Sequence, residues 1–96
     1  MPMYLVERDL PGVTRDQFGA AQRAIESAAA QATAAGIPVR SVWGVFVPSE
    51  ACAVCLFEGP DADSVRAVNL AAGVPFNNLV EALELRPRDV EPRASS

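Results

Sequence analysis

Residues 39–58 read VRSVWGVFVPSEACAVCLFE. Two runs rich in β-branched and aromatic residues, Val39 to Val47 and Ala51 to Glu58, flank a turn at Pro48-Ser49-Glu50. Valine, phenylalanine and tryptophan suit a pleated, half-buried surface, and proline and serine punctuate turns. The stretch therefore predicts an antiparallel hairpin. With a tight turn, Trp43, Val45 and Val47 share one face with Cys52, Val54 and Leu56. Arg40, Val42, Gly44 and Phe46 share the other with Ala53, Cys55 and Phe57. The first row is richer in aliphatic groups and is the expected helix-packed core. A slip of one residue would exchange the two rows. In either register both faces of the hairpin carry bulky apolar groups.

Working outward, Met3 to Asp9 reads as an earlier strand, broken by Leu10-Pro11-Gly12-Val13. Thr14 then looks like an N-cap, with Gln17 three residues on to complete a capping box. A helix follows to about Ala35, where Gly36-Ile37-Pro38 stops it. Its apolar stripe, Phe18, Ala21, Ile25, Ala28, Ala32 and Ala35, repeats at helical spacing and is mostly small. Gln22, Arg23, Glu26 and Gln31 are expected on the other side. Beyond the hairpin, Gly59-Pro60-Asp61 caps a second helix through Ala72, closed by Gly73. Its inward stripe is Val65, Val68 and Ala72, and Leu70 lies away from it. A last strand is expected from Leu79 to Arg86. The order strand, helix, strand, strand, helix, strand predicts an α+β, ferredoxin-like βαββαβ domain over residues 1–86. Its four-stranded antiparallel sheet has two helices on one face. Residues 87–96, rich in proline and charge, read as a flexible C-terminal tail.

Two helices cover one face of such a sheet, and a monomer would leave the other apolar face wet. Uncovered apolar area costs about 25 cal/mol per Å². The expected state is a homodimer, joined through the sheet face or a sheet edge.

The composition excludes more than it assigns. The 96 residues are half hydrophobic and carry a net charge of −4, with no histidine and, as cations, only eight scattered arginines. A basic stripe for nucleic acid is missing, and an acidic surface suits anionic membranes poorly. No apolar run approaches a membrane span. The start, Met1-Pro2-Met3-Tyr4, lacks a basic n-region, so no signal peptide is expected. Two cysteines cannot frame a disulfide scaffold, and the expected location is the cytoplasm.

Candidate chemistry is sparse. Cys52-Ala53-Val54-Cys55 spells C-x-x-C, but on a strand residues three apart face opposite ways, roughly 10 Å apart. They can neither bridge nor grip one metal. Without histidine, Ser-His-Asp and Cys-His catalysis are impossible, and no cofactor or metal is expected. The sheet carboxylates are the remaining acid–base candidates. Glu7 and Glu81 are the candidate catalytic residues, since apolar walls would raise a carboxyl pKa. Arg8, Arg40, Gly44, Phe46, Cys55 and Glu58 are the candidate ligand-binding residues. Gly44 leaves a hole in its row, for a neighbouring side chain or a small apolar molecule to fill.

Three segments, Met3-Tyr4-Leu5-Val6-Glu7-Arg8, Cys55-Leu56-Phe57-Glu58-Gly59-Pro60 and Ala72-Gly73-Val74-Pro75, carry a resemblance. The chain resembles, over about residues 3 to 86, a family of small bacterial proteins of unknown function that includes a nickel-binding member. The resemblance implies a dimeric ferredoxin-like fold, of dimeric α/β-barrel kind. The family's second strand typically reads like Val-His-Ser-Tyr-Val. The aligned stretch here is Trp43-Gly44-Val45-Phe46-Val47, so Gly44 replaces the histidine and Phe46 the tyrosine. Both a nitrogen ligand and a hydroxyl are gone, and nickel binding is not carried over.

The function expected from the sequence is that of a small cytoplasmic dimeric ligand-binding or accessory protein. One alternative is a cofactor-free cyclase or isomerase of secondary metabolism. In it Glu7 or Glu81 would be the base, and Arg8 or Arg40 the anion clamp. The other is a nickel-type metal-binding protein, disfavoured by the missing histidines.

Overall fold

A computed structural model describes residues 1–83. Strand β1 (Met3–Asp9) leads to helix α1 (Arg15–Ala34), strand β2 (Arg40–Val47), a 3-10 turn (Pro48–Glu50) and strand β3 (Cys52–Glu58). Helix α2 (Ala62–Ala72) and strand β4 (Asn78–Ala82) follow. The strands form one antiparallel sheet in the order β2-β3-β1-β4, so β3 and β1 are central. This is the expected ferredoxin-like arrangement. The strand expected beyond residue 83, as far as Arg86, and the tail 87–96 lie outside the described residues.

Local signals set the element ends. Thr14 accepts the Gln17 backbone N–H, and the Gln17 side chain accepts the Thr14 N–H, so the capping box forms as expected. Asp61 caps α2 by accepting the Ser64 N–H at 2.7 Å. That hydrogen bond stabilises the charged carboxylate and holds its pKa below the ordinary value. Gly73 ends α2 in the left-handed conformation, at φ +72°.

The hairpin rows pair as expected, with Val45 opposite Val54, Val47 opposite Cys52 and Trp43 opposite Leu56. Their faces are the reverse of the expectation. The helices pack on the row of Ala53, Cys55 and Phe57, joined by Tyr4 and Val6 of β1 and by Ile25, Ala29, Val65 and Val68 of the helices. Small groups at Ala53 and Cys55 let the alanine-rich α1 approach closely, and Phe57 fills the remaining depth. A count of aliphatic groups misses this, because packing selects complementary sizes.

A bulge modifies the register. Ser41 pairs with Phe57 and Trp43 with Leu56, which leaves Val42 as the extra residue on β2. Arg40 consequently shares the open face with Trp43 and Glu58, not the face of Gly44 and Phe46. The α1 stripe is also rotated from the expected one. Ile25 and Ala29 are its buried residues, Ala35 is exposed, and Gln22 faces the sheet.

Candidate functional site

The open face is the most distinctive surface of the molecule. Strand alternation places Met3, Leu5 and Glu7 of β1 on it, with Trp43, Val45 and Val47 of β2, Cys52, Val54 and Leu56 of β3, and Val80 of β4. Trp43, Val45 and Val80 are 40%, 48% and 42% exposed. Leu56, flanked by Trp43 and Leu5, is buried. At one end of this face Arg40 donates from Nε and Nη2 to Glu58 Oε1, at 3.0 and 2.8 Å. At the other end an open cleft of about 320 Å³ is lined by Glu7, Asp9, Cys52, Val54 and the Asn77-Asn78 pair.

The candidate ligand-binding residues are divided between the two faces. Arg40 and Glu58 lie on the open face and pair with each other. Arg8, Gly44, Phe46 and Cys55 lie on the helix-packed side. Phe46 stacks on Phe18 of α1, with ring centroids 4.9 Å apart. The hole at Gly44 is filled by a neighbouring side chain. A Cβ at Gly44 would meet the Gln22 amide at 3.2 Å. That amide donates to Ser41 Oγ at 3.3 Å, and the Cys55 thiol donates to its oxygen at 3.9 Å. Cys52 and Cys55 are both free and face opposite ways.

Glu7 and Glu81 are exposed, so neither is walled by apolar groups as expected. Each sits toward a strand end where water reaches the carboxylate. Glu7 lies on the open face and accepts from Asn78 Nδ2 at 2.9 Å. Glu81 is on the opposite side of edge strand β4, across from Tyr4. Burial and the carboxylates of Glu81 and Asp61 push the Tyr4 phenol above its ordinary pKa. Arg40 is level with Met3, four residues from Glu7 along the strands and two strands across. That separation is about 13 Å by about 10 Å, too far for one small substrate to span as base and clamp.

Among the described residues the buried polar pair is Arg8 and Asn69, at 1% and 0% exposure. Arg8 Nη2 donates to Asn69 Oδ1 at 2.7 Å, and Asn69 Nδ2 donates to the Val65 carbonyl at 2.8 Å. Asn69 and Gln22 escaped the sequence reading. The strand parity of Tyr4, Val6 and Arg8 points the arginine inward, and that parity was the available signal that a buried partner must exist. Among the described residues no three side chains of His, Cys, Asp or Glu come together where a metal ion could be held. Nor is any helix among them long and apolar enough to cross a membrane.

Comparison with known proteins agrees with this architecture. The crystal structure of SCO4226 from Streptomyces coelicolor A3(2) superposes with a TM-score of 0.75, over 88% of this chain and 99% of that one, at 22% identity. No curated protein matches the sequence. Residues 4–82 match the model of a family described as nickel responsive protein SCO4226-like. With that match spanning most of its length, the chain belongs to the SCO4226-like family.

Proposed function

We propose that this protein is a small cytoplasmic binding or accessory protein that acts as a homodimer through the open faces of its sheets. The observation that carries the reading is the exposed apolar row of Trp43, Val45 and Val80 on a face that no helix among the described residues covers. Strands five to eight residues long, about 4.8 Å apart, span a face of roughly 15 by 20 Å. Two such faces cover about 600 Å² as flat area, and side-chain relief brings the accessible area they bury toward the low end of specific interfaces, about 1,000 Å². A second copy of this face offers apolar groups to match, with ionic groups held at its ends. The helix–sheet interior is filled, with Gln22 occupying the space at Gly44. That supports an interaction protein over the cyclase or isomerase reading, which requires an enclosed pocket around Glu7 or Glu81. A small apolar molecule held between the two open faces fits the same reading.

Sedimentation of the purified chain and of Val45→Asp tests the dimer. We expect the native chain to sediment as a dimer and the variant as a monomer of unchanged helical content. A native chain that stays monomeric at high concentration would sink the reading.

The family name keeps a second reading alive, that of a nickel-responsive protein. The donors of one chain fit such a site poorly, since there is no histidine and no three-donor cluster among the described residues. Among the described residues, three donors would have to come from both protomers. Thermal melting with and without nickel chloride separates the readings, because an ion that prefers the folded state raises the melting temperature. The expected outcome is no shift; a rise would establish the metal reading.

A further inference from the structure

Strand β1 ends in three consecutive charged residues, Glu7-Arg8-Asp9, and all three hold the same piece of chain. The Glu7 carbonyl accepts the Asn77 N–H at 2.7 Å. The Asp9 N–H donates to Asn77 Oδ1 at 2.8 Å, and Asn77 Nδ2 donates back to Asp9 Oδ2 at 2.9 Å. On the helix side, Arg8 Nη1 reaches the carbonyls of Val74 and Pro75 at 3.4 and 3.5 Å. The connection from Gly73 to Asn77 is thus a strap pinned from both sides of β1.

What the strap covers is unusual. The Arg8 guanidinium is buried and permanently charged, and among the described residues none of its hydrogen bonds is to a carboxylate. Glu7 and Asp9 project to the opposite face of the strand. Its Nε–H has no acceptor among the described residues. Two of its three contacts are long, so neutral carbonyls replace water poorly around a full charge. A guanidinium in this condition is completed best by an oxyanion, whose oxygens accept from adjacent N–H groups.

The strap itself has the properties of a segment that opens locally. Gly73, Pro75 and Asn77 are exposed, and Val74 and Phe76 are only half-buried. A cavity of about 360 Å³ lies against it, lined by Asn69, Leu70 and residues 73–76. We propose that the Gly73–Asn77 strap closes over a latent oxyanion site built on Arg8. Opening withdraws the Val74 and Pro75 carbonyls. The guanidinium, whose Nε–H has no acceptor among the described residues, can then take a phosphate-like group.

Modification of the full chain by phenylglyoxal, mapped by mass spectrometry, tests the proposal alongside amide hydrogen exchange. Arg8 should react more slowly than exposed Arg23, yet through an opening far more frequent than the one that exchanges the buried Phe57 amide. In Asn77→Ala the Arg8 rate should rise about tenfold while the Phe57 amide keeps its protection. Millimolar inorganic phosphate should slow Arg8 several-fold and leave Arg23 unaltered. The proposal is overturned if Arg8 in the native chain reacts only with the global opening. It is equally overturned if phosphate slows both arginines alike or slows neither.

Discussion

The two faces of this sheet draw on the same residue types, and the covered one is not the more aliphatic. The helix-packed face holds Tyr4, Val6, Cys55 and Phe57, all buried. The open face holds Leu5, Trp43, Val45, Val54 and Val80, three of them at least 40% exposed. Apolar content therefore does not decide which face becomes the core. Fit to the helices does. An α1 face of Ile25, Ala28, Ala29 and Ala32 is shallow, and it seats against small groups with an aromatic at one side. The bulky row of Trp43, Val45 and Val54 does not match that shallow helix face.

The largest test of that contrast is truncation at Phe57. Phe57→Ala empties a fully buried site and should cost about 3–5 kcal/mol in denaturant unfolding. Trp43→Ala, measured at concentrations where the chain is monomeric, should cost well under half as much. Equal losses would mean the open face is as structured a core as the covered one.

A smaller effect is expected at the corner that sets the hairpin register. Ala51 adopts φ +51°, the left-handed region that a Cβ disfavours, and its carbonyl accepts the Leu10 N–H. Ala51→Gly relieves that strain against the extra freedom glycine gives the unfolded chain. A net gain of about 0.5 kcal/mol in chemical denaturation is expected, and a loss would show that the corner is not strained.

The smallest is electrostatic and belongs to the covered face. Tyr4 is the single tyrosine, so its phenolate absorbance can be followed without overlap. Its pKa in the fold lies above the ordinary 10.0, through burial first and then Glu81 and Asp61. The folded chain thus holds this proton more tightly than the unfolded chain. The contribution to stability is complete below pH 10, and it is lost as pH rises through the folded value. A titration midpoint identical in folded and denatured chain would contradict it.

Much of the fold was legible residue by residue. The capping box at Thr14 and Gln17, the stop at Gly73 and the turn after Val47 are local signals, satisfied by atoms a few residues apart. The pairing of Val45 with Val54 also followed from turn position alone. Less of the site was legible. Arg40 and Arg8 looked equivalent as anion clamps, yet one is ion-paired on the surface and the other is sealed beside Asn69. The bulge at Val42 has no turn residue to announce it, and it moved Arg40 to the other face. Gln22 reads as solvent-facing on a helical wheel, but the missing Cβ at Gly44 makes room for its amide.

Periodicity and caps in the sequence determined which segments are helices and strands, and hence the βαββαβ order, because those preferences act over a few residues. The tertiary structure alone decided which sheet face the helices cover, and with it where each arginine and glutamate points. That choice depends on how side-chain volumes from distant segments fit together, and no stretch of the chain carries that information by itself.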